Sequence, residues 1–432
     1  MDENNKPQSP TAEMSRRSFL RASAAGAATA ALYASGNYAH AQGSATIKVG
    51  VIGTGGRGSG ATYNCIDSAP GVQIWALGDF FKDRAQGLKD SLVKNKPDNC
   101  KVTDDRVFGG IDAYKHVLAS GVDMVILATH PGFRPPHFKA AIEAGKHVFM
   151  EKPVGTDAPG IRTMLEAAAL ADTKKLCVVA GTQRRHQRSY IETIKRIHDG
   201  AIGDVVGGQV YWNGGGVGDG VHKKEDNWTD LEWMIRNWYQ FTWLCGDNIV
   251  EQHVHNIDVA NWVMRAHPVK CVAMGGRSQR MDPVRFPMAF DHFAVDFEYP
   301  GGVRIMSMCR HWDGCASNVS ERFVGTKGVT NPAWEIWGQN PYRFPGGGKD
   351  PYVQEHTDLI EAIRSGKQIN EARQVAESTL SAIMGRMASY TGQEITWEMA
   401  LGSKESLMPD LTDPRAPIPV RKPAIPGVTQ FI

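Results

Sequence analysis

The stretch TIKVGVIGTGGRG, residues 46–58, decides the fold of this chain. Its apolar first half predicts a buried strand, its glycines follow the spacing G-x-G-x-x-G, and a helical pattern then continues to Ser68. In such a unit Gly53 permits a tight turn, Gly55 lets a pyrophosphate approach the backbone, and Gly58 allows the helix to pack closely on the strand. The stretch therefore predicts a dinucleotide-binding strand–loop–helix unit.

The same alternation of apolar runs and amphipathic stretches continues to about residue 182. Near-continuous apolar strands separated by helices are typical of a parallel sheet covered on both faces. The sequence thus predicts an α/β fold in which residues 46–184 form a doubly wound Rossmann domain. The further predicted elements are strands Val72–Leu77, Met124–Leu127, His147–Met150 and Leu176–Ala180, with helices over 58–68, 111–119 and 135–144.

An acidic residue stands at the end of the second predicted strand. The carboxylate of Asp79 can accept a hydrogen bond from the 2′-hydroxyl of an adenosine ribose, and it would repel a 2′-phosphate. The sequence therefore favours NAD over NADP. Arg57 and Arg84 are near enough in sequence to leave NADP open.

The N-terminal residues 1–41 read as a signal peptide. The motif SRRSFLR at 15–21 precedes an Ala-rich apolar stretch, and Ala39-His40-Ala41 forms a small-x-small cleavage site. Paired arginines in this context are typical of the twin-arginine route, which exports folded proteins. We expect a periplasmic or otherwise exported protein. Because no later stretch approaches the ~18 apolar residues of a membrane span, we expect no stable membrane insertion after processing.

Composition excludes several classes of protein. The net charge of the 432 residues is +2, and charge runs are absent. Nothing indicates a nucleic-acid partner. The 7 cysteines form no C-x-x-C pair, so we expect neither a zinc site nor a redox motif, and an odd number leaves at least one thiol free.

Several short motifs beyond the glycine loop carry a resemblance to a known family. They are Ala128-Thr129-His130-Pro131, Pro136-His137, Ala144-Gly145-Lys146-His147-Val148, Glu151-Lys152-Pro153 and Gly181-Thr182-Gln183-Arg184-Arg185. With them the chain resembles the Gfo/Idh/MocA oxidoreductases, from the glycine loop to the helical stretch 357–390. The Glu-Lys-Pro triplet is the most specific of these motifs.

The resemblance implies that Lys152 stands beside the nicotinamide and the substrate hydroxyl. A lysine at the carboxyl end of a strand lies where open α/β sheets bind ligands, and its ammonium can stabilise alkoxide character on a reacting oxygen. The residues expected to contact the cofactor are Gly53, Thr54, Gly55, Gly56, Arg57, Gly58, Asp79, Thr129, His130, His137, Glu151, Lys152 and Gln183.

The pattern changes after residue 184. Strands are predicted at Val205–Trp212, Cys271–Gly275, Phe293–Tyr299 and Val303–Arg310. They indicate a mainly antiparallel sheet in an α+β domain, residues 185–400, with C-terminal helices and a proline-rich tail over 401–432. The family pairs such a domain with its Rossmann domain, and one face of the sheet commonly supports oligomer contacts. The resemblance therefore implies a homo-oligomer.

Residues 246–258, GDNIVEQHVHNID, are expected to supply the other half of the chemistry. If they form one helix, Glu251 and His255 share a face. The resemblance makes His255 the catalytic histidine, while Glu251 replaces the usual aspartate. We expect the carboxylate to orient the imidazole and to favour its protonated form. Either His255 or Lys152 could be the base. His253 makes a metal site conceivable, but residues two apart do not share a helical face, and no metal is predicted.

An aromatic segment over residues 227–243 favours a carbohydrate ligand, because aromatic faces pack well on the C–H faces of sugars. The substrate residues expected from this segment and its surroundings are Arg236, Asn237, Trp243 and His253.

Together these features predict an NAD-dependent oxidoreductase that acts on a sugar, polyol or sugar derivative. Because free NAD is not expected outside the cytoplasm, we expect the cofactor to be held tightly and recycled. Two alternatives stay open. One is a redox-neutral glycosidase or lyase that works by transient sugar oxidation. The other is a non-catalytic sugar-binding or sensing protein that retains NAD.

Overall fold

Two β-sheets organise the part of the chain described by the computed structural model, residues 46–217 and 220–432. The predicted signal peptide, residues 1–41, lies outside these residues. The strands are β1 Ile47–Ile52, β2 Val72–Asp79, β3 Val107–Gly109, β4 Met124–Leu127, β5 His147–Met150, β6 Val178–Ala180, β7 Val205–Gly214, β8 Lys270–Gly276, β9 His292–Glu298, β10 Arg304–His311, β11 Asn318–Gly325, β12 Gly328–Asn331, β13 Glu335–Gly338, β14 Tyr342–Arg343 and β15 Ile395–Thr396.

The helices cover both faces of the first sheet and one face of the second. They are α1 Gly56–Ser68, α2 Lys82–Asn95, α3 Ala113–Ala119, α4 Arg134–Glu143, α5 Ala158–Thr173, α6 Arg188–His198, α7 Asp230–Arg236, α8 Thr242–Cys245, α9 Asn248–Glu251, α10 Val254–Met264, α11 Pro351–Ser365, α12 Ala372–Thr391 and α13 Trp397–Gly402.

The first sheet has six parallel strands in the order β3-β2-β1-β4-β5-β6. The predicted doubly wound α/β architecture is confirmed. Its strands carry side chains that are buried on both faces, such as Val49, Val51, Val125 and Ile126. The strand order reverses between β1 and β4, and a crevice at such a switch point is where these sheets bind ligands. The glycine loop follows β1 directly.

The second sheet has nine strands in the order β14-β13-β12-β11-β7-β10-β9-β8-β15. Only the pair β7 and β10 is parallel among its described ladders, so the mainly antiparallel prediction is confirmed. The helix α12 packs on β8 and β9. The opposite face leaves Val272 and Met274 of β8 and Met306 and Met308 of β10 exposed, on the two strands that flank β9. The domain limits at 184/185 and 400/401 stay predictions.

The predicted strand bounds lie within two residues of the observed ones, but several strands were missed. The strand β3 has only three residues, and β11–β14 are short or polar and are joined by tight turns. Such strands carry too little hydrophobic pattern for recognition.

All seven cysteines are free thiols, and Cys315 is the exposed one among them. Within residues 46–217 and 220–432, no helix is both long and apolar enough to cross a bilayer.

Candidate active site

The glycine loop leaves an open cradle at the start of α1. Gly53 has φ +91°, and an added Cβ would lie 2.5 Å from the backbone nitrogen of Thr129. At Gly58 a Cβ would lie 1.9 Å from the Gly53 oxygen, whereas at Gly55 and Gly56 it would meet nothing within 4 Å. No side chain caps the N-terminus of α1. The free space and the unshared N–H groups fit the phosphates of a dinucleotide.

Asp79 fixes the loop as well as facing the cleft. Its Oδ2 accepts hydrogen bonds from the nitrogen of Thr54 at 2.7 Å and from Thr54 Oγ1 at 3.1 Å. Its Oδ1 accepts one from the nitrogen of Phe81 at 2.9 Å. The carboxylate lines the same cavity as Gly53 and Gly55. Its predicted contact with a ribose hydroxyl stays a prediction.

An aromatic cavity continues from Asp79 along the sheet edge. The ring of His137 stacks on Tyr114 at 4.2 Å between centroids, and its Nδ1 lies 3.2 Å from Thr129 Oγ1. His130 packs against Trp238 at 4.9 Å. Burial lowers the pKa of both His130 and His137 to about 3. Both imidazoles are therefore neutral and offer flat faces that suit an adenine ring, while Asp79 and Arg84 supply the charged part of this wall.

Glu151 lies in the wall of the cleft, within a network of charged side chains. Its carboxylate pairs with Arg57, whose Nη2 also lies 3.4 Å from Glu355 Oε1. A Cβ on Gly181 would lie 2.6 Å from Glu151 Oε2, so a larger residue there would displace this carboxylate. Gln183 donates to the hydroxyl of Tyr352 at 3.3 Å, while its buried Oε1 has no partner. An orphaned acceptor in the cleft wall suits a ligand with N–H or O–H donors.

Lys152 and Glu251 meet in the cleft. The ammonium of Lys152 donates to the main-chain oxygen of Glu251 at 2.6 Å and lies 3.2 Å from its Oε1. The hydroxyl of Tyr239 donates to Glu251 Oε2, and Gln252 Nε2 donates to the same hydroxyl at 2.6 Å. The carboxylate of Glu251 thus positions Lys152 just after β5, and the hydroxyl of Tyr239 positions that carboxylate.

The run 246–258 is not one helix. It forms the short helix α9, Asn248–Glu251, and then α10, which begins at Val254. His255 still lines the cleft with Lys152 and Glu251. The chain turns between the two helices, so a shared helical face is not what brings Glu251 and His255 together.

The expectation that a carboxylate favours protonated His255 is wrong. The carboxylate of Glu251 engages Lys152 and Tyr239, and His255 stacks on Trp212 at 5.8 Å. Burial, and next the charge of Lys152, hold the pKa of His255 well below its ordinary value. The imidazole is therefore neutral near pH 7 and able to accept a proton.

Three residues expected to bind substrate are not brought to the cleft. Asn237 fixes the end of α7, donating to the oxygen of Trp233 at 2.8 Å and accepting from the nitrogen of His222 at 2.7 Å. Trp243 is buried against Phe133. His253 is fully buried and lies 2.7 Å from Ser307 Oγ. Arg236 does line the cleft.

The cleft holds about 1380 Å³, including its opening to solvent, and sequence reasoning missed part of its wall. Arg134 is buried in this wall, and burial lowers its pKa to about 10. Trp212, Gln252 and Tyr352 complete it. Trp212 was predicted only as part of a strand, and no local motif marks the others. Within residues 46–217 and 220–432 no group of three or more His, Cys, Asp or Glu could hold a metal ion.

The comparisons with known proteins agree with this geometry. Residues 47–181 match the family described as "Oxidoreductase family, NAD-binding Rossmann fold". This segment is a Gfo/Idh/MocA domain. Residues 13–33 match the twin-arginine translocation signal sequence, which supports export by that route. The Gly53–Gly58 loop lies inside the matched segment.

Two curated relatives are similar to part of this chain. An inositol 2-dehydrogenase/D-chiro-inositol 3-dehydrogenase of Halalkalibacterium halodurans is 31% identical over 159 residues, which cover 37% of this chain and 42% of the relative. A glycosyl hydrolase family 109 protein of Streptomyces coelicolor is 28% identical over 165 residues, covering 38% and 33%. The chain thus matches only about a third to two fifths of each relative.

The fold of the remainder has solved counterparts. An aldose-aldose oxidoreductase from Caulobacter crescentus, complexed with glycerol, superposes with a TM-score of 0.62 at 18% identity. The superposition covers 81% of this chain and 99% of that one. It establishes that the two-sheet architecture is shared.

Proposed function

We propose that the chain is an NAD-dependent oxidoreductase that acts on a secondary hydroxyl of a sugar, polyol or sugar derivative. The observation that supports it most is that Lys152 and His255 line one cleft with the glycine loop at Gly55–Gly58. When bound, a nicotinamide cofactor supplies the hydride acceptor. The loop would hold its phosphates, and Asp79 would hold its adenosine ribose, which favours NAD over NADP.

The side chains of the cleft divide the remaining work. The ammonium of Lys152 would donate a hydrogen bond to the substrate oxygen and stabilise negative charge there. Neutral His255 would accept the proton of that hydroxyl, because its lowered pKa leaves it unprotonated. Glu251 would hold Lys152 in position by accepting its hydrogen bonds. Trp212, Trp238 and Tyr239 line the same cleft and offer faces on which a sugar can pack.

The test of this assignment is the variant Lys152→Ala. Turnover should fall sharply while NAD affinity stays within about threefold, because the lysine is expected beside the nicotinamide and the phosphates would be held by the glycine loop. A matched control is Lys223→Ala, an exposed lysine outside the cleft. Unchanged turnover of Lys152→Ala would refute the role given to Lys152. Inositols and aldoses are the first substrates to screen, because the curated relatives include inositol dehydrogenases.

Export bears on how the cofactor is used. A protein that leaves the cytoplasm folded can carry a dinucleotide with it, and we propose that NAD is retained and regenerated within each cycle, for example by reducing a second sugar. Mature protein purified without added cofactor should release NAD on denaturation, as measured by mass spectrometry. Release of NADP would show that the cofactor is NADP and not NAD. Release of neither dinucleotide would contradict the proposal that the protein retains its cofactor.

A second candidate function is redox-neutral cleavage of a glycoside. It is favoured by the resemblance to a glycosyl hydrolase family 109 protein. In this reaction class transient oxidation of the sugar acidifies a neighbouring C–H bond, so that a substituent can leave before re-reduction. Aglycone release without net formation of NADH would establish it; oxidised sugar with no aglycone release would favour the dehydrogenase.

We also propose that the second sheet forms a homo-oligomer contact. The exposed fractions of Val272, Met274, Met306 and Met308 are 43%, 77%, 39% and 39%. These side chains stand on either side of Ala294 and Asp296 of β9, and exposed apolar side chains on one sheet face are typical of protein interfaces. The variant Met274→Glu should shift the sedimentation coefficient toward a smaller species. Wild-type protein that sediments as a monomer would contradict this contact.

A further inference from the structure

Two arginines meet over one aromatic ring at the edge of the cofactor cleft. The guanidinium carbon of Arg236 lies 4.1 Å from the centroid of the Phe81 ring, and that of Arg84 lies 4.7 Å from it. Phe81 is buried and directly precedes α2. Two positive groups from segments more than a hundred residues apart in sequence therefore contact the same ring.

Neither guanidinium has an acidic partner. Among the described residues, no carboxylate lies within ion-pair distance of Arg84 or Arg236, whereas Arg57 and Arg184 in the same cleft are paired with Glu151 and Glu321. Adjacent like charges repel, and contact with an aromatic face offsets only part of that repulsion. An anion placed between these two arginines would relieve it and form charge-assisted hydrogen bonds.

The space beside these arginines leads to the glycine loop. Arg84 and Arg236 line the cleft together with Gly55 and Gly56, the two positions where an added Cβ meets nothing within 4 Å. The helix α1 begins in this loop, at Gly56, and no side chain caps its N-terminus. A phosphate held by the loop would therefore face both guanidinium groups.

The backbone near Arg236 is fixed rather than free. A capping box joins Thr229 and Glu232 at the start of α7, and Asn237 closes its other end. Leu231, Met234 and Ile235 anchor the helix in an apolar cluster with Phe81. Arg236, the last residue of α7, is thus held at the cleft by a helix that lies outside the matched Rossmann domain.

We propose that Arg84 and Arg236 form a clamp over the pyrophosphate of the dinucleotide, and that Arg236 slows its release. This inference rests on the proposed function and assigns retention of the cofactor to named residues. It also moves Arg236 from the substrate, where its position among aromatic residues had placed it, to the cofactor. The two arginines would contact the phosphates from the side opposite the glycine loop, so the pyrophosphate would be held between the arginines and the loop.

The test measures binding and release, not turnover. Isothermal titration would compare NAD, ADP-ribose, NADP and adenosine on wild type, Arg84→Ala, Arg236→Ala and the double variant. Each single change should weaken NAD and ADP-ribose about tenfold and leave adenosine within twofold, since only the first two carry a pyrophosphate. Dissociation of NAD should be faster in Arg236→Ala, and the salt dependence of its affinity should become weaker.

Three controls make the outcome decisive. Lys223→Ala removes an exposed cation outside the cleft and should leave all four affinities unchanged. Arg236→Lys keeps the charge and should recover part of the affinity. Circular dichroism and thermal unfolding of the unliganded variants would report any loss of fold.

Two results would overturn the clamp. One is NAD affinity in the folded double variant within twofold of wild type. The other is a loss confined to NADP, which would place the arginines on a 2′-phosphate. Wild-type protein that binds no dinucleotide would instead overturn the proposed function itself, and the clamp with it.

Discussion

The ammonium of Lys152 and the main-chain oxygen of Glu251 lie 2.6 Å apart, and this contact joins the end of β5 to the short helix α9. Because the acceptor belongs to the backbone, substitution of the side chain at 251 leaves the contact in place. The carboxylate adds a charge 3.2 Å away. The position of the lysine and its electrostatic environment can therefore be changed separately.

Glu251→Gln should lower kcat by about 10- to 100-fold and leave NAD affinity within about twofold, since it removes only the charge beside Lys152. Glu251→Asp keeps the charge, and it should retain more activity than Glu251→Gln. Steady-state kinetics with the best substrate and calorimetry with NAD would measure both. Equal kcat values for wild type and Glu251→Gln would show that the carboxylate is not needed.

The rate should persist in acid further than an ordinary histidine base would allow. The base form of His255 is present above its pKa, and burial holds that pKa well below 6.5. We therefore expect kcat/KM to stay level from pH 7 down to about pH 6 rather than fall near 6.5. His255→Gln should lower kcat/KM by about 100-fold at each of these pH values. An acid limb at pH 6.5 that disappears in the variant would contradict a neutral, buried base.

Gly55→Ala should weaken NAD binding without destabilising the fold. The added methyl group meets no protein atom within 4 Å, but it would occupy the space beside the expected phosphates. We expect an affinity loss of at least tenfold with a thermal midpoint within about 2 °C of wild type. Gly60→Ala in the same helix is the matched control and should bind NAD normally. Gly58→Ala should instead lower stability by several kcal/mol, because its Cβ would overlap the Gly53 oxygen.

Stability should fall at alkaline pH through His186. Burial alone would lower the pKa of this imidazole, but Asp358 at 2.5 Å and Glu371 at 3.3 Å outweigh it and raise the pKa to about 10. A histidine with a raised pKa contributes stability that is complete below about pH 6.5 and is lost as pH rises through about 10.

Urea unfolding at pH 7 and at pH 9.5 measures this contribution. The free energy of unfolding of wild type should decrease between the two values by about 2 kcal/mol more than that of His186→Asn. The variant should already be less stable at pH 7, because it leaves Asp358 and Glu371 without a cation. Equal decreases in the two proteins would show that His186 does not carry the effect.

The nucleotide-binding half could be predicted because its constraints are local. The turn at Gly53 and the close packing at Gly58 depend on neighbouring residues, and both are written in the spacing of the glycines. Buried strands such as Met124–Leu127 carry an unbroken apolar run. The motif around Lys152 then predicted which strand end lies at the cleft, and Lys152 does line it.

The break between α9 and α10 could not be predicted for the opposite reason. Gly246 and Asp247 before α9 adopt φ +81° and +74°. The buried carboxylate of Asp247 accepts hydrogen bonds from the nitrogen of Phe290 at 2.8 Å and from the hydroxyl of Tyr390 at 2.5 Å. Both partners are distant in sequence, so the conformation depends on tertiary contacts that no local pattern reveals.

Local sequence patterns also do not predict the protonation state of a histidine or the burial of an aromatic residue. The neutral state of His255 follows from burial beside Lys152, which the sequence does not encode locally. Trp243 and Trp238 belong to one aromatic segment, yet Trp243 lies in the core while Trp238 lines the cleft. Composition cannot separate the two environments.

The seven unpaired thiols described above bear on passage between compartments. A protein that crosses from a reducing space to an oxidising one usually has its covalent structure completed on arrival, by oxidoreductases that join its cysteines. Here five of the cysteines are buried, Cys100 is partly exposed, and Cys315 is exposed. Folding therefore needs no disulfide formation after export, and a maleimide dye should label the exposed Cys315.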